Sequence, residues 1–214
     1  MHVNRRGFVR TLIAAAAAVA IAGPAAAQSA GADYIAVSPA VSTDNPGKIE
    51  VIEFFSYGCP HCNDFNPLIS AWAAKLPADV VFRKVPITFG RAAWSNVAKL
   101  YYALEITGDL ARLDGDVFKA IHAERVSLFD DKVAAEWAAK KGVDPKKFAD
   151  AFNSFGVMSK VKRGDQLAAS YKIQGVPSIG VEGKYLVGDK SHSELLAIAD
   201  QLIAKSRAEK SGKK

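Results

Sequence analysis

The run Ile49-Glu50-Val51-Ile52-Glu53-Phe54-Phe55 constrains the fold more than any other part of the chain. Five of its seven residues are apolar, and the strict apolar–polar alternation of a half-exposed strand is missing. Such a run reads as a strand covered on both faces. Asn45-Pro46-Gly47 ahead of it is turn chemistry. Pro60 follows at a position suited to the first turn of a helix, where a missing N–H costs nothing. Phe65, Leu68, Ile69 and Trp72 then recur at spacings of three and four, which predicts a helix over 60–75. Residues 80–85 read as a second buried strand, completing a βαβ unit whose connection should be right-handed. A short strand over 34–37 precedes the unit.

From residue 92 to about 171 only helical periods are visible. Trp94, Val97, Tyr101 and Leu104 make one stripe, and Val117, Phe118 and Ile121 a second. Val133 and Trp137 mark a third, Asp144-Pro145 opens a fourth with Phe148 and Phe152, and Val157, Val161, Ala168 and Tyr171 outline a long fifth. All five read as packed core faces. Strand signals return with 178–181, a Glu182-Gly183 turn and 184–187, a hairpin pattern. Ser191 with Glu194 three residues on is a capping box, and it opens a last helix carrying Leu195, Leu196, Ile198, Leu202 and Ile203. The expected order is β-β-α-β, a helical insertion, then β-β-α.

Composition narrows the class. With 50% hydrophobic residues in 214, the chain can bury a core and is not a disordered protein. Two cysteines, 16 glycines and 9 prolines exclude disulfide-scaffold and collagen-like chains. The net charge of +6 is concentrated at the ends. Arg5, Arg6 and Arg10 stand unopposed at the start, and Lys205, Arg207, Lys210, Lys213 and Lys214 face only Glu209 at the finish. Between them lie 20 basic and 21 acidic residues, so the body has no basic face for nucleic acid. Residues 206–214 are expected to form a flexible basic tail.

Residues 1–27 have the pattern of a cleaved export signal. Three arginines precede an apolar stretch over 12–22, too short to span a bilayer comfortably, and Ala25-Ala26-Ala27 offers a small-residue cleavage site. Arg5-Arg6-Gly7-Phe8 also resembles a twin-arginine signal, and either route ends outside the cytoplasm. Cleavage before Gln28 would leave 187 residues.

The chemistry lies in Cys59-Pro60-His61-Cys62, which holds both cysteines where a strand ends and a helix begins. As a structural staple this pair is poor, because the chain-entropy model credits so small a loop with roughly 2 kcal/mol against roughly 3 for fifteen residues. As half of a zinc site it lacks partners, since His122 and His192 are distant and solitary. Redox exchange fits better. A helix N-terminus offers free amides and partial positive charge, which stabilise a thiolate at Cys59. That stabilisation favours the reduced form, so it makes the disulfide more oxidising. Cys62, three positions on, falls on the same helix face. His61 can add a hydrogen bond or charge to the thiolate. His122 and His192 read as surface or cap residues. Glu53 lies mid-strand among apolar neighbours, where a carboxylate must be paired or protonated; a buried salt bridge, for instance with a lysine, is one reading of it.

The segment Glu53-Phe54-Phe55-Ser56-Tyr57-Gly58-Cys59-Pro60-His61-Cys62 resembles the active-site segment of the DsbA family, periplasmic thiol:disulfide oxidoreductases of the thioredoxin superfamily. Gly175-Val176-Pro177-Ser178 resembles that family's cis-proline loop. The resemblance spans essentially all of the mature chain. It implies an α/β fold, a thioredoxin fold with an inserted all-helical domain. It divides the chain into a thioredoxin-like first part at 28–91, the insertion at 92–170 and a second thioredoxin-like part at 171–205. It also implies a catalytic set of Cys59, Pro60, His61, Cys62 and Pro177. Val176 and Pro177 would meet substrate, with Pro177 cis and opposite Cys59. Glu53 would tune the site and assist proton movement at Cys62. No metal and no cofactor beyond the Cys59–Cys62 disulfide are implied. The expected partners are exported proteins with free cysteines and a membrane quinone reductase of the DsbB type, and the expected setting is a monomer in the periplasm of a Gram-negative bacterium. A disulfide isomerase, a specialised reductase and a redox-linked chaperone remain alternatives. The isomerases of this fold class usually add an N-terminal dimerisation domain, and about 20 residues between Gln28 and Ile49 leave no room for one.

Overall fold

A computed structural model describes residues 33–212. The expected export signal and its cleavage site lie outside the described residues. Five strands form one sheet in the order β1-β5-β4-β2-β3. They are β1 (Ile35–Ala36), β2 (Ile49–Phe55), β3 (Val80–Pro86), β4 (Ser178–Val181) and β5 (Tyr185–Val187). β2 lies inside the sheet, between β4 and β3, and is wholly buried. It runs parallel to β3, with Glu53 opposite Lys84, and antiparallel to β4, with Glu53 opposite Ile179.

Pleat alternation sends neighbouring β2 residues to opposite faces. Ile49 and Val51 join Phe65 and Ile69 of α1 (Pro60–Ala73) and Leu195, Ala199 and Leu202 of α7 (His192–Ser211) in one core. Ile52 and Phe54 join Val85 and Tyr171 on the other face. Glu53 shares the face of Val51 and so lies beneath α1.

Between β3 and β4 the chain builds five helices: α2 (Ala92–Thr107), α3 (Leu110–His122), α4 (Asp131–Lys140), α5 (Pro145–Phe152) and α6 (Phe155–Ser170). Asp130, Asp144 and Ser154 each accept a backbone N–H as N-caps of α4, α5 and α6, which fixes where those helices start. Their apolar stripes close on a shared core of Leu100, Leu104, Leu113, Phe118 and Phe148. Phe55, Tyr57, Cys59 and Cys62 belong to this same core, so the helical layer packs directly against the strand–helix junction.

Two expectations need correction. The strand expected over 34–37 contracts to Ile35–Ala36. The expected flexible tail is ordered helix as far as Ser211. Its described basic residues are not free: Arg207 Nε pairs with Asp79 at 2.7 Å, and Lys210 Nζ with Glu182 at 2.6 Å. Ser206 is fully buried. The acids that hold this segment lie far away in sequence.

Candidate active site

β2 ends at Phe55, and four residues later Cys59 serves as N-cap of α1, with extended backbone (φ −95°, ψ 119°) and Pro60 in the first turn. The Cys59 side chain makes no cap hydrogen bond to the helix. The loop is tied back on itself, because the Cys59 N–H donates to the Ser56 carbonyl at 3.1 Å and the Gly58 N–H to Ser56 Oγ at 3.2 Å. A Cβ on Gly58 would sit 2.9 Å from Trp94 Nε1 and 3.0 Å from Phe129, so the aromatic layer of the insertion approaches here as closely as glycine allows.

The two thiols are unpaired and differ in environment. Cys59 retains 6% of its surface and Cys62 none. Cys59 is drawn down to about 6, first by the hydrogen bond from the Cys62 thiol, then by the backbone N–H groups of Cys62 and His61 and the charge of His61, against the opposing effect of burial. Cys62 moves strongly upward, chiefly through burial and through the negative charge it would share with Cys59. The sequence reading pointed to the helix start and the His61 side chain. The geometry adds that Cys62 itself is the main donor to Cys59, while His61 is exposed and contributes its backbone N–H and charge.

Val176-Pro177 is a cis peptide bond, and the Cys59 thiol donates to the Val176 carbonyl at 3.5 Å. The residues singled out from the two separate motifs therefore meet. A groove of about 900 Å³ runs from this point, lined by His61, Gln174, Val176, Pro177, His192 and neighbouring residues.

Glu53 is fully buried, and neither carboxylate oxygen has a hydrogen-bond partner. Its counterion is Lys84, 3.7 Å away. Burial pushes the Glu53 carboxyl up to about 7, partly offset by Lys84 and reinforced by Asp114. Lys84 Nζ bonds more closely to Asp114 Oδ2 and Asn66 Oδ1, both at 2.8 Å, and lies 4.6 Å from the centre of the Phe55 ring.

Sequence reasoning assigned no role to several residues around this site. Tyr57, fully buried, donates its hydroxyl to Asp114 Oδ1 at 2.6 Å. His122 is not a bland surface residue: its Nε2 donates to the Tyr57 carbonyl at 2.7 Å, and its ring stacks on Phe118. His192 likewise packs on Phe65 at the mouth of the groove. A signal existed for Lys84, since Arg83-Lys84 interrupts a buried strand and calls for carboxylate partners. Asp114 and His122 carry none, because their positions on α3 gain meaning only once that helix packs under the loop. Among the described residues no group of three or more His, Cys, Asp or Glu is placed to hold a metal ion.

Comparison with known proteins agrees with this geometry. Residues 50–198 match the model of the DSBA-like thioredoxin domain family. The chain belongs to the DsbA family. The thiol:disulfide interchange protein DsbA of Bordetella parapertussis is 42% identical over 205 residues, covering 94% of this chain and 97% of its own. Its counterpart in Pseudomonas aeruginosa is 39% identical over 207 residues, covering 95% and 98%. The crystal structure of Pseudomonas aeruginosa DsbA superposes with a TM-score of 0.82 at 40% identity, covering 87% of this chain and 97% of that one. The DsbA from Xylella fastidiosa gives a TM-score of 0.80 at 32% identity, covering 85% and 98%. This DsbA-family chain is a thiol:disulfide oxidoreductase with a thioredoxin-like fold.

Proposed function

We propose that this DsbA-family protein acts as an oxidant, passing its Cys59–Cys62 disulfide to exported proteins with free cysteines in the periplasm of a Gram-negative bacterium. A substrate thiolate attacks Cys59 Sγ, the Cys59–Cys62 bond breaks, and Cys62 leaves as a thiolate that takes up a proton. A second substrate thiolate then attacks the substrate sulfur of the mixed disulfide, and Cys59 leaves as a thiolate. The substrate is oxidised by two electrons and the dithiol is reduced. The observation that carries this reading is the placement of Cys59 at the start of α1, beside the Cys62 thiol and opposite the cis Val176-Pro177 bond, a setting that holds its thiol below the ordinary range, an effect for which DsbA proteins are themselves the standard example. A value near 6, against 9 for an ordinary thiol, favours the folded reduced form by about 1.4 kcal/mol at pH 7, or about 30 mV on the two-electron couple.

Glu53, buried under α1 and poised near neutrality, is suited to supply the proton that Cys62 needs on leaving. Val176 offers its backbone to an extended substrate segment once the Cys59 proton no longer occupies its carbonyl. Pro177, without an N–H, presents no competing donor there. The disulfide is the only redox group this scheme uses, and the reduced monomer is returned to its oxidised form by a membrane quinone reductase of the DsbB type. Equilibration with glutathione buffers tests the direction: an oxidant gives a potential well above that of a reductant such as thioredoxin, and a value as low as thioredoxin's refutes it. A variant with both cysteines changed to Ala that kept full activity would mark a chaperone instead.

A further inference from the structure

The helical insertion reaches the buried Glu53–Lys84 pair through a charged side chain. Asp114 of α3 accepts Lys84 Nζ on Oδ2 at 2.8 Å and the Tyr57 hydroxyl on Oδ1 at 2.6 Å. Lys84 is therefore shared unequally: it lies 2.8 Å from Asp114 but 3.7 Å from Glu53, whose two oxygens are left without hydrogen bonds. Asn66 of α1 takes a further Lys84 hydrogen at 2.8 Å and completes the hold on the ammonium. Lys84 and Asp114 also line a cavity of about 560 Å³ between β3 and the insertion, with Tyr101, Tyr102, Glu105, Arg163 and others, whereas Glu53 does not reach it.

We infer that Asp114 is a positioning residue for the redox reaction: it holds Lys84 back from Glu53 and so keeps that carboxyl able to exchange a proton with Cys62. An ammonium in full contact with Glu53 would fix it as a carboxylate, since an opposite charge at contact distance favours the ionised form. Withdrawn by about an ångström and compensated by Asp114, the ammonium leaves burial in control. Asp114 further acts on Glu53 by direct repulsion, in the same direction. The other groups facing Glu53 are Tyr57 from the β2–α1 loop, Tyr101 from α2 and Cys62 from α1, while β4 presents the apolar Ile179 opposite it. Asp114 is thus the one acidic side chain among them that both repels Glu53 and restrains its counterion. The Tyr57 hydroxyl orients Asp114 and links it to the loop that carries Cys59.

The inference rests on Glu53 serving Cys62 as proton partner, and the test separates the two. Full-length reduced protein labelled with ¹³C at the glutamate carboxyl is titrated by NMR, with the Glu53 signal assigned by its loss in Glu53→Gln. Asp114→Asn keeps an acceptor for Tyr57 and removes the charge. It should lower the Glu53 midpoint by about one pH unit, while the thiolate absorbance of Cys59 titrates as in the parent. Asp114→Glu, which restores the charge, should bring the midpoint back towards the parental value. If Asp114→Asn folds poorly by circular dichroism, Asp114→Ser makes the same comparison. An unchanged or raised midpoint in the charge-free variant overturns the inference, as does failure of Asp114→Glu to recover it. Independently, if Glu53→Gln resolves mixed disulfides with the parental rate and pH profile, the proton role of Glu53 fails even where the midpoint moves as expected.

Discussion

Raising the pH should stabilise the reduced protein relative to the oxidised one, by an amount set by Cys59. The folded thiol titrates near 6 against 9 for an unperturbed one. Because the folded value is the lower, the stabilisation is fully present above 9 and disappears as pH falls through 6. Integrating between the two values gives about 0.1 kcal/mol at pH 5, about 1.4 at pH 7 and about 2.7 at pH 8. Cys62, shifted upward, stays protonated throughout this range in both folded and unfolded chains and contributes nothing. Glu53 works the other way: its folded value is raised, so stability is lost as pH rises from about 4.5 to 7, where the unfolded carboxyl ionises and the buried one keeps its proton. That loss is common to both redox forms to the extent that its surroundings are unchanged, and it cancels in their difference. The assay is urea unfolding of oxidised and dithiothreitol-reduced protein at pH 5, 7 and 8, the gap between the two free energies being plotted against pH. A gap that moves in favour of the reduced form by about 2.6 kcal/mol between pH 5 and 8 is the expected result. A gap flat to within about 0.5 kcal/mol, or one moving towards the oxidised form, refutes the claim that the fold stabilises a Cys59 thiolate.

Three further outcomes are expected. Iodoacetamide at pH 6.5 should label Cys59 and spare Cys62, because Cys59 is ionised there and Cys62 is both buried and protonated; peptide mass spectrometry reads this directly, and preferential labelling of Cys62 reverses the assignment. Gly58→Ala should cost about 1–3 kcal/mol by overpacking, since the added methyl meets the Trp94 and Phe129 rings at about van der Waals overlap; urea unfolding measures it, and a neutral result means the aromatic layer yields. Glu53→Gln should gain on the parent by about 2.5 kcal/mol between pH 5 and pH 8, because it removes a buried ionisation; parallel stability profiles would show that Glu53 does not titrate in this range.

What could be read in the sequence was whatever local pattern decides. The apolar run of β2, the proline that starts α1, the Asp144-Pro145 start of α5 and the Ser191–Glu194 capping box are each specified within a few residues. The Cys59–Cys62 pair was legible for the same reason. Its electrostatic setting was not. The sharing of Lys84 between Glu53 and Asp114, the grip of His122 on the Tyr57 carbonyl and the anchoring of Arg207 on Asp79 join residues 30 to 128 positions apart. No periodicity records such pairings. The basic end of the chain was misjudged on this account: read alone it is a run of solvated charges, whereas in the fold it continues α7, buries Ser206 and pairs Arg207 and Lys210 with the acids at 79 and 182.

The order in which this site can be assembled follows from its topology. Cys59 and Cys62 are placed by a β-strand and the helix that follows it, but the carbonyl facing Cys59 belongs to Val176, 117 residues further along. Closing a flexible loop of that length costs about 4 kcal/mol in chain entropy. That cost falls once the intervening helices have formed and shortened the span, and β4 can then pair with β2. A chain arrested before that pairing would hold its dithiol at the head of a helix with no wall opposite. The Val176–Pro177 wall of the groove is therefore a late product of folding, complete only when β2 has paired with a strand more than 120 residues further along.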